Sequence, residues 1–293
     1  MRSILLHLIS EARISVLKPD PGHPLSHLAD FACQQIRARL SSTLPKVAIV
    51  LGTGFGGFTD SLDIECIFEF EELEGFEKTT ATGHAGRFIV GRVGSCEVIV
   101  LQGRPHFYEG HHVSTITYPM QVLSCLGVER VFLSCAAGGL SPHFQVGDLM
   151  LIRDHVNFLQ SRLTHFGDGD PLLRAKSLDD DIRVADCLQR IARKHNFPLH
   201  EGTYIAVPGP NYETRAELRF FRRIGDAIGM STVPEVAHAS RCGMKTVAVA
   251  AITNLCLPDA GEVADGDHVV QVAQSTLPRF QNLVTDFLMQ QDA

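Results

Sequence analysis

A basic surplus is missing from this chain. Lys and Arg total 26 against 33 Asp and Glu, a formal net charge of −7. That balance argues against an electrostatic grip on nucleic acid or an anionic membrane, where a basic face is expected. No run of apolar residues reaches the roughly 18 that a membrane span needs. Nor is there a C-x-x-C pair among the eight cysteines, Cys33, Cys66, Cys96, Cys125, Cys135, Cys187, Cys242 and Cys256. Most sit in apolar runs such as "VLSCLGV", which reads as reduced, buried thiols of a cytoplasmic protein rather than a disulfide framework or a zinc site. The start, "MRSILLHLIS", lacks the small-residue cleavage site of a signal peptide. Internal repeats and low-complexity tracts are absent as well. The partner these absences leave is a small molecule.

What is present is a large apolar fraction, 45% of 293 residues, enough for one sizeable core. Residues 1–24, with the punctuation "KPDPGHP", read as an N-terminal leader, and 25–293 as one domain. A helical pattern over 25–40 feeds the strand-like "KVAIVL" (Lys46–Leu51). Further strands are predicted at 88–93, 97–102, 130–134, 148–152, 203–207 and 246–252. Helices are predicted at 114–126, 180–195, 214–224, 233–242 and 267–289. This alternation predicts an α/β fold with a buried, largely parallel sheet. The polar stretch 161–181 reads as a long loop, either a lid or a surface excursion.

After the first strand, "GTGFGG" satisfies G-x-G-x-x-G through Gly52, Gly54 and Gly57. A dinucleotide site would need a crossover helix next, yet only "FTDSLD" separates Gly57 from the following apolar segment. The loop suits either a phosphate nest built on backbone N–H groups and the Thr53 hydroxyl, or a tight structural turn. At the end of "EVIVLQ", the run "GRPHFYEG" sets Arg104, His106 and Tyr108 at alternate positions, where open α/β sheets bind ligands. Arg104 can fork onto an oxyanion and His106 can donate beside it. Other candidate edges are "CAAGG", "VPGPNYETRAEL" with Tyr212 and Glu213, "IGMSTVPE" with Met230 and Ser231, and "AITN" with Asn254.

Taken in order, "VLGTGFGGF", "GHAGRFIVG", "QGRPHFYEGH", "AAGGLSPHFQVGDLMLIRDHVN", "EGTYIAVPGPNYETRAE", "GMSTVPEV" and "AITN" resemble the trimeric, low-molecular-mass purine nucleoside phosphorylases, from about Pro24 to Phe287. The resemblance implies a single α/β domain with a central mixed, largely parallel sheet bent into a distorted barrel and flanked by helices. It also implies phosphorolysis of purine nucleosides to free base and pentose 1-phosphate, with inorganic phosphate as co-substrate and no metal or organic cofactor. By motif match, phosphate would meet Thr53, His84, Arg104, His106, the backbone at Ala136, and Ser231. The base would meet Tyr212, Glu213 and Asn254. The ribose would meet Tyr108, Met230, His268 and, from a neighbouring subunit of a homotrimer, Phe166. Glu213, Asn254 and His106 would carry the catalysis.

Two departures from the family pattern stand out. Cys135 occupies the place of the usual Asn before "AAGG", and the segment after Phe166 lacks the family's aromatic signature. Asn254 rather than Asp favours 6-oxopurines, inosine and guanosine, by donor and acceptor logic. A xanthosine preference, a weakly active or regulatory nucleoside binder, and a nucleophilic Cys135 remain alternatives.

Overall fold

The computed structural model describes residues 23–40, 43–159, 182–259 and 265–291. Almost all of the expected leader, the loop 161–181 and Phe166 lie outside these. Nine strands carry the described fold: β1 Val47–Leu51, β2 Asp63–Glu69, β3 Arg87–Val93, β4 Cys96–Gln102, β5 Arg130–Gly139, β6 Leu149–Asn157, β7 Leu199–Ala206, β8 Ala227–Gly229 and β9 Lys245–Leu255. They are hydrogen-bonded in the order β2-β3-β4-β1-β5-β8-β7-β6-β9, and a further pairing of β5 with β9 closes the last five into a barrel. The sheet is mixed. Pairs β1–β4, β1–β5, β5–β9, β6–β7 and β7–β8 are parallel, while β2–β3, β3–β4, β5–β8 and β6–β9 are antiparallel.

Among the described residues six helices cover this sheet: α1 Ser26–Arg37, α2 Val113–Leu126, α3 Ile182–Lys194, α4 Arg215–Phe221, α5 Val233–Arg241 and α6 Gly266–Gln291. The alternation of β1 shows why both faces need cover. Ala48 and Val50 join one apolar layer with Ile36 of α1, Met120 of α2 and Val236 of α5. Ile49 and Leu51 join the other, with Leu188 of α3 and Phe280 and Phe287 of α6. Successive strand residues point to opposite faces, so a strand apolar throughout is a strand covered twice. None of the described helices is long and apolar enough to cross a membrane.

The glycine loop has no crossover helix. Gly56–Ser61 is a 3-10 turn, and β2 pairs with β3 at the sheet edge, three places from β1. Four strands run further than the sequence predicts, β6 to Asn157, β7 from Leu199, and both β5 and β9 at their C-terminal ends. β5 continues past Ser134 through "CAAGG" because these small residues keep pairing with β9, and β9 continues to Leu255, which puts Asn254 within the strand. Neither β2 nor β8 stands out as a strand in the sequence. β2 is an edge strand exposed over its first half, and β8 has three residues.

Candidate active site

The three glycines of the G-x-G-x-x-G pattern, Gly52, Gly54 and Gly57, mark close approaches. A methyl group on Gly52 would stand 2.5 Å from the Ser134 carbonyl oxygen, and one on Gly57 would stand 2.9 Å from Leu277 of α6. At Gly54, where φ is +83°, it would collide with Ala273 of the same helix. The pattern therefore lets the loop press onto β5 and α6, the backbone use of glycine. The rings of Phe55 and Phe58 complete the staple at 4.7 and 5.9 Å from that of Phe280. Thr53, between these anchors, lines a cavity of about 260 Å³.

That cavity opens at the ends of β1, β4, β5, β8 and β9. Of the residues singled out in the sequence, Thr53, Arg104, His106, Tyr108, Ala136, Tyr212, Glu213, Met230, Ser231 and Asn254 line it together. His84 lies just behind. Its Nε2 is 3.3 Å from Thr53 Oγ1, and its ring centroid is 4.9 Å from that of His106. His268 is exposed in the first turn of α6, and its neighbour Val269 is the lining residue. Phe166 falls outside the described residues. Gly138, one of the small residues of "CAAGG", lines it as well, and motif matching passed over Ile228, Thr253 and Cys256, which also line the cavity. Thr253 and Cys256 flank Asn254 and could have been found by extending the reading along β9.

At one end of the cavity the groups suit an oxyanion. Burial first, then the neighbouring His106 and Arg104, lower the His84 imidazole to about 3, so it is neutral at physiological pH. Its Nδ1 lies 2.9 Å from the Arg104 carbonyl oxygen and 3.1 Å from the Arg104 N–H. Either neutral tautomer therefore has a partner on that side, and Nε2 can accept or donate without a change of charge. His106 is oriented by Glu109, whose Oε1 accepts from the His106 N–H and lies 2.8 Å from Nδ1. Burial pushes Glu109 up, but hydrogen bonds from His106 and Thr80 outweigh it and leave the carboxyl at about 2. Tyr108 stacks on His106 with centroids 4.6 Å apart.

The far end suits a heteroaromatic ring. Tyr212, a partly exposed aromatic, stands beside Glu213, whose carboxyl burial raises above its ordinary value. Thr253 Oγ1 lies 3.1 Å from Asn254 Oδ1, and Asn254 Nδ2 points to Cys256 Sγ at 3.6 Å. One lone pair of the amide oxygen and one amide hydrogen are thus engaged within the protein, and the amide keeps a second hydrogen to donate into the cavity. Between the two ends, Ala137 and Gly138 of β5 keep the floor low. A methyl on Gly138 would strike Cys256 and press on Asn254.

Cys135 is 2% exposed, and burial pushes its thiol up to about 11. At neutral pH it is a protonated thiol, the inert form. No group of His, Cys, Asp and Glu among the described residues is arranged to hold a metal ion.

Comparison with known proteins places this geometry. Residues 46–289 match the family model described as the phosphorylase superfamily. Purine nucleoside phosphorylase 1 of Bacillus subtilis (strain 168) is 36% identical over 258 residues, covering 84% of this chain and 92% of the relative. The purine nucleoside phosphorylase of Mus musculus is 38% identical over 261 residues, covering 83% and 89%. The crystal structure of isoform 2 of purine nucleoside phosphorylase from Schistosoma mansoni, in complex with cytosine and ribose-1-phosphate, superposes with a TM-score of 0.82 at 29% identity, covering 93% of this chain and 99% of that one.

Proposed function

The chain belongs to the phosphorylase superfamily, among the purine nucleoside phosphorylases, and on that premise we propose that it cleaves the N-glycosidic bond of the 6-oxopurine nucleosides inosine and guanosine. Inorganic phosphate is the second substrate, and the products are free base and (deoxy)ribose 1-phosphate. The observation that carries the 6-oxopurine reading is the setting of Asn254. Its amide keeps an N–H for the cavity beside the one that meets Cys256, a donor that matches a carbonyl oxygen on the purine and that a carboxylate at this position would lack.

The chemistry follows from the two ends of the cavity. Phosphate sits with Thr53, His84, Arg104, His106, the backbone of Ala136, and Ser231. As the glycosidic bond lengthens, the sugar develops oxocarbenium character, and an anion held beneath the anomeric carbon stabilises it before bonding. The departing purine gains negative charge, which the Asn254 donor meets, while Glu213 accepts from the ring N–H. Burial makes that carboxylate a stronger acceptor. Tyr108 and Met230 contact the ribose, joined by His268 and a neighbouring subunit's Phe166 in a homotrimer. The enzyme works without cofactor or metal, in the cytoplasm, in purine salvage.

A panel of inosine, guanosine, xanthosine and adenosine, each with and without phosphate, tests the reading. Inosine and guanosine should exceed adenosine by about 10²-fold in kcat/KM, the scale of a mismatched polar contact. Equal use of adenosine would refute the role of Asn254, and a preference for xanthosine would move the substrate to its 2-oxo relative.

A further inference from the structure

Arg104, 3% exposed, is held by the protein through both terminal nitrogens, so it meets an anion in the cavity by its charge rather than by the two-pronged fork expected from the sequence. Its Nη2 donates to the main-chain carbonyls of Ser134 at 2.6 Å and Val50 at 3.2 Å. Its Nη1 donates to Thr232 Oγ1 at 3.2 Å and Glu235 Oε2 at 3.4 Å. Nε lies 3.3 Å from Glu235 Oε1 without the alignment of a hydrogen bond. Glu235 is itself 2% exposed. The same Oε2 also accepts the Thr232 N–H at 2.8 Å.

Thr232 is the second half of this arrangement. It has φ 71° and ψ −49°, and the Val233 N–H donates across it to the Ser231 carbonyl at 2.8 Å. That is a γ-turn of the rare, strained hand, at a β-branched residue. Such strain, of order 1–3 kcal/mol, persists only where the surroundings over-determine it. Here Glu235 holds the amide, Arg104 holds the hydroxyl, and Ser231 Oγ lies 3.3 Å from that hydroxyl. Arg104 and Ser231 line the cavity, whereas Thr232 and Glu235 stand behind them.

We propose that Glu235 and the Thr232 turn form a clamp that positions Arg104 and Ser231 for the phosphate, so that one buried carboxylate sets the geometry of the anion end of the site. The proposal rests on the phosphate reading above. Its physical basis is reach. A single oxygen, Oε2, serves the turn and the cation at once, so a shift of the carboxylate displaces both ligands. Displacements well under an ångström matter to a constellation of this kind.

Two substitutions separate reach from charge. Glu235→Asp keeps the charge and withdraws the carboxylate by a methylene. Glu235→Gln keeps the reach, and its amide oxygen can inherit both hydrogen bonds of Oε2. Steady-state kinetics with each substrate varied in turn, beside melting temperatures, give the readout. The aspartate variant is expected to raise KM for phosphate about tenfold while KM for inosine stays within about twofold, and the glutamine variant, which leaves the buried Arg104 charge uncompensated, to lower the melting temperature more than the aspartate. A folded aspartate variant with unchanged phosphate KM would overturn the clamp. So would an equal rise in both KM values. Should the aspartate variant fail to fold, Thr232→Val keeps the branched shape and removes the hydroxyl that Arg104 uses. It is expected to raise phosphate KM about threefold, and no change there would refute the clamp equally. Wild-type protein runs in the same assay. If it shows no phosphate-dependent release of base, the functional reading fails. If it works and the variants are indifferent, only the clamp fails.

Discussion

The residue that most strongly divides binding from catalysis in this site is Glu213. On the proposed reading its carboxylate would accept from a ring that becomes an anion on departure, a contact that carries a charge on the protein side. Tyr212, beside it, offers mainly a face. Glu213→Ala is therefore expected to lower kcat/KM for inosine by about 10²–10³-fold, the scale of losing an oriented electrostatic contact, and Tyr212→Phe by much less. Parallel measurement of both variants decides it, and equal losses would remove Glu213 from its assigned role. The same carboxyl sets a pH limb. Burial raises it above the usual glutamate value, and the ionised form is the acceptor. Activity is therefore present above the raised pKa and lost as pH falls through it, at a pH above the ordinary value of about 4.3. Glu109 at about 2 and His84 at about 3 titrate below that window. The acid limb of kcat/KM for inosine should consequently disappear in Glu213→Gln, and its survival there would assign it to another group.

Among the elements, α6 ties the Thr53 end of the cavity to the core. Phe280 is fully buried against Phe55 and Phe58 of the glycine loop. Removing its ring leaves a cavity beneath the backbone that carries Thr53. Phe280→Ala is expected to cost about 3–5 kcal/mol in denaturant unfolding and to raise KM for phosphate more than KM for nucleoside. A stability loss with both KM values untouched would show that the loop holds its shape without the helix. This contact was not legible in the sequence. "GTGFGG" announces a close approach of backbone but not what approaches, since Ala273 and Leu277 lie more than two hundred residues away. The long apolar strands and the alternation of β4 into Arg104, His106 and Tyr108 were legible, because burial on both faces and period-two spacing are local properties. β8 was not, for three residues carry no period. The inward turn of Arg104 toward Glu235 was hidden too, because it depends on packing between β4 and α5.

For the molecule as a whole, the mixed sheet closes so that five strand ends meet around one cavity, and ten residues scattered from Thr53 to Asn254 become neighbours. Motif order carried that grouping in advance. Its weakest member is His268, exposed in the first turn of α6 beside the lining residue Val269, and Phe166 lies outside the described residues. The proposed homotrimer should have a mass near three times the 32.1 kDa chain by light scattering after gel filtration, and a monomer of full activity would exclude any cross-subunit role for Phe166.

The central claim is that phosphate is the nucleophile and not a bystander. Base release from inosine should be followed spectrophotometrically as inorganic phosphate is titrated from none upward. Saturable hypoxanthine release that vanishes without phosphate, with ribose 1-phosphate formed in equal amount, is the expected result. Release at an undiminished rate without phosphate, yielding free ribose, or no release at any phosphate concentration, would contradict it.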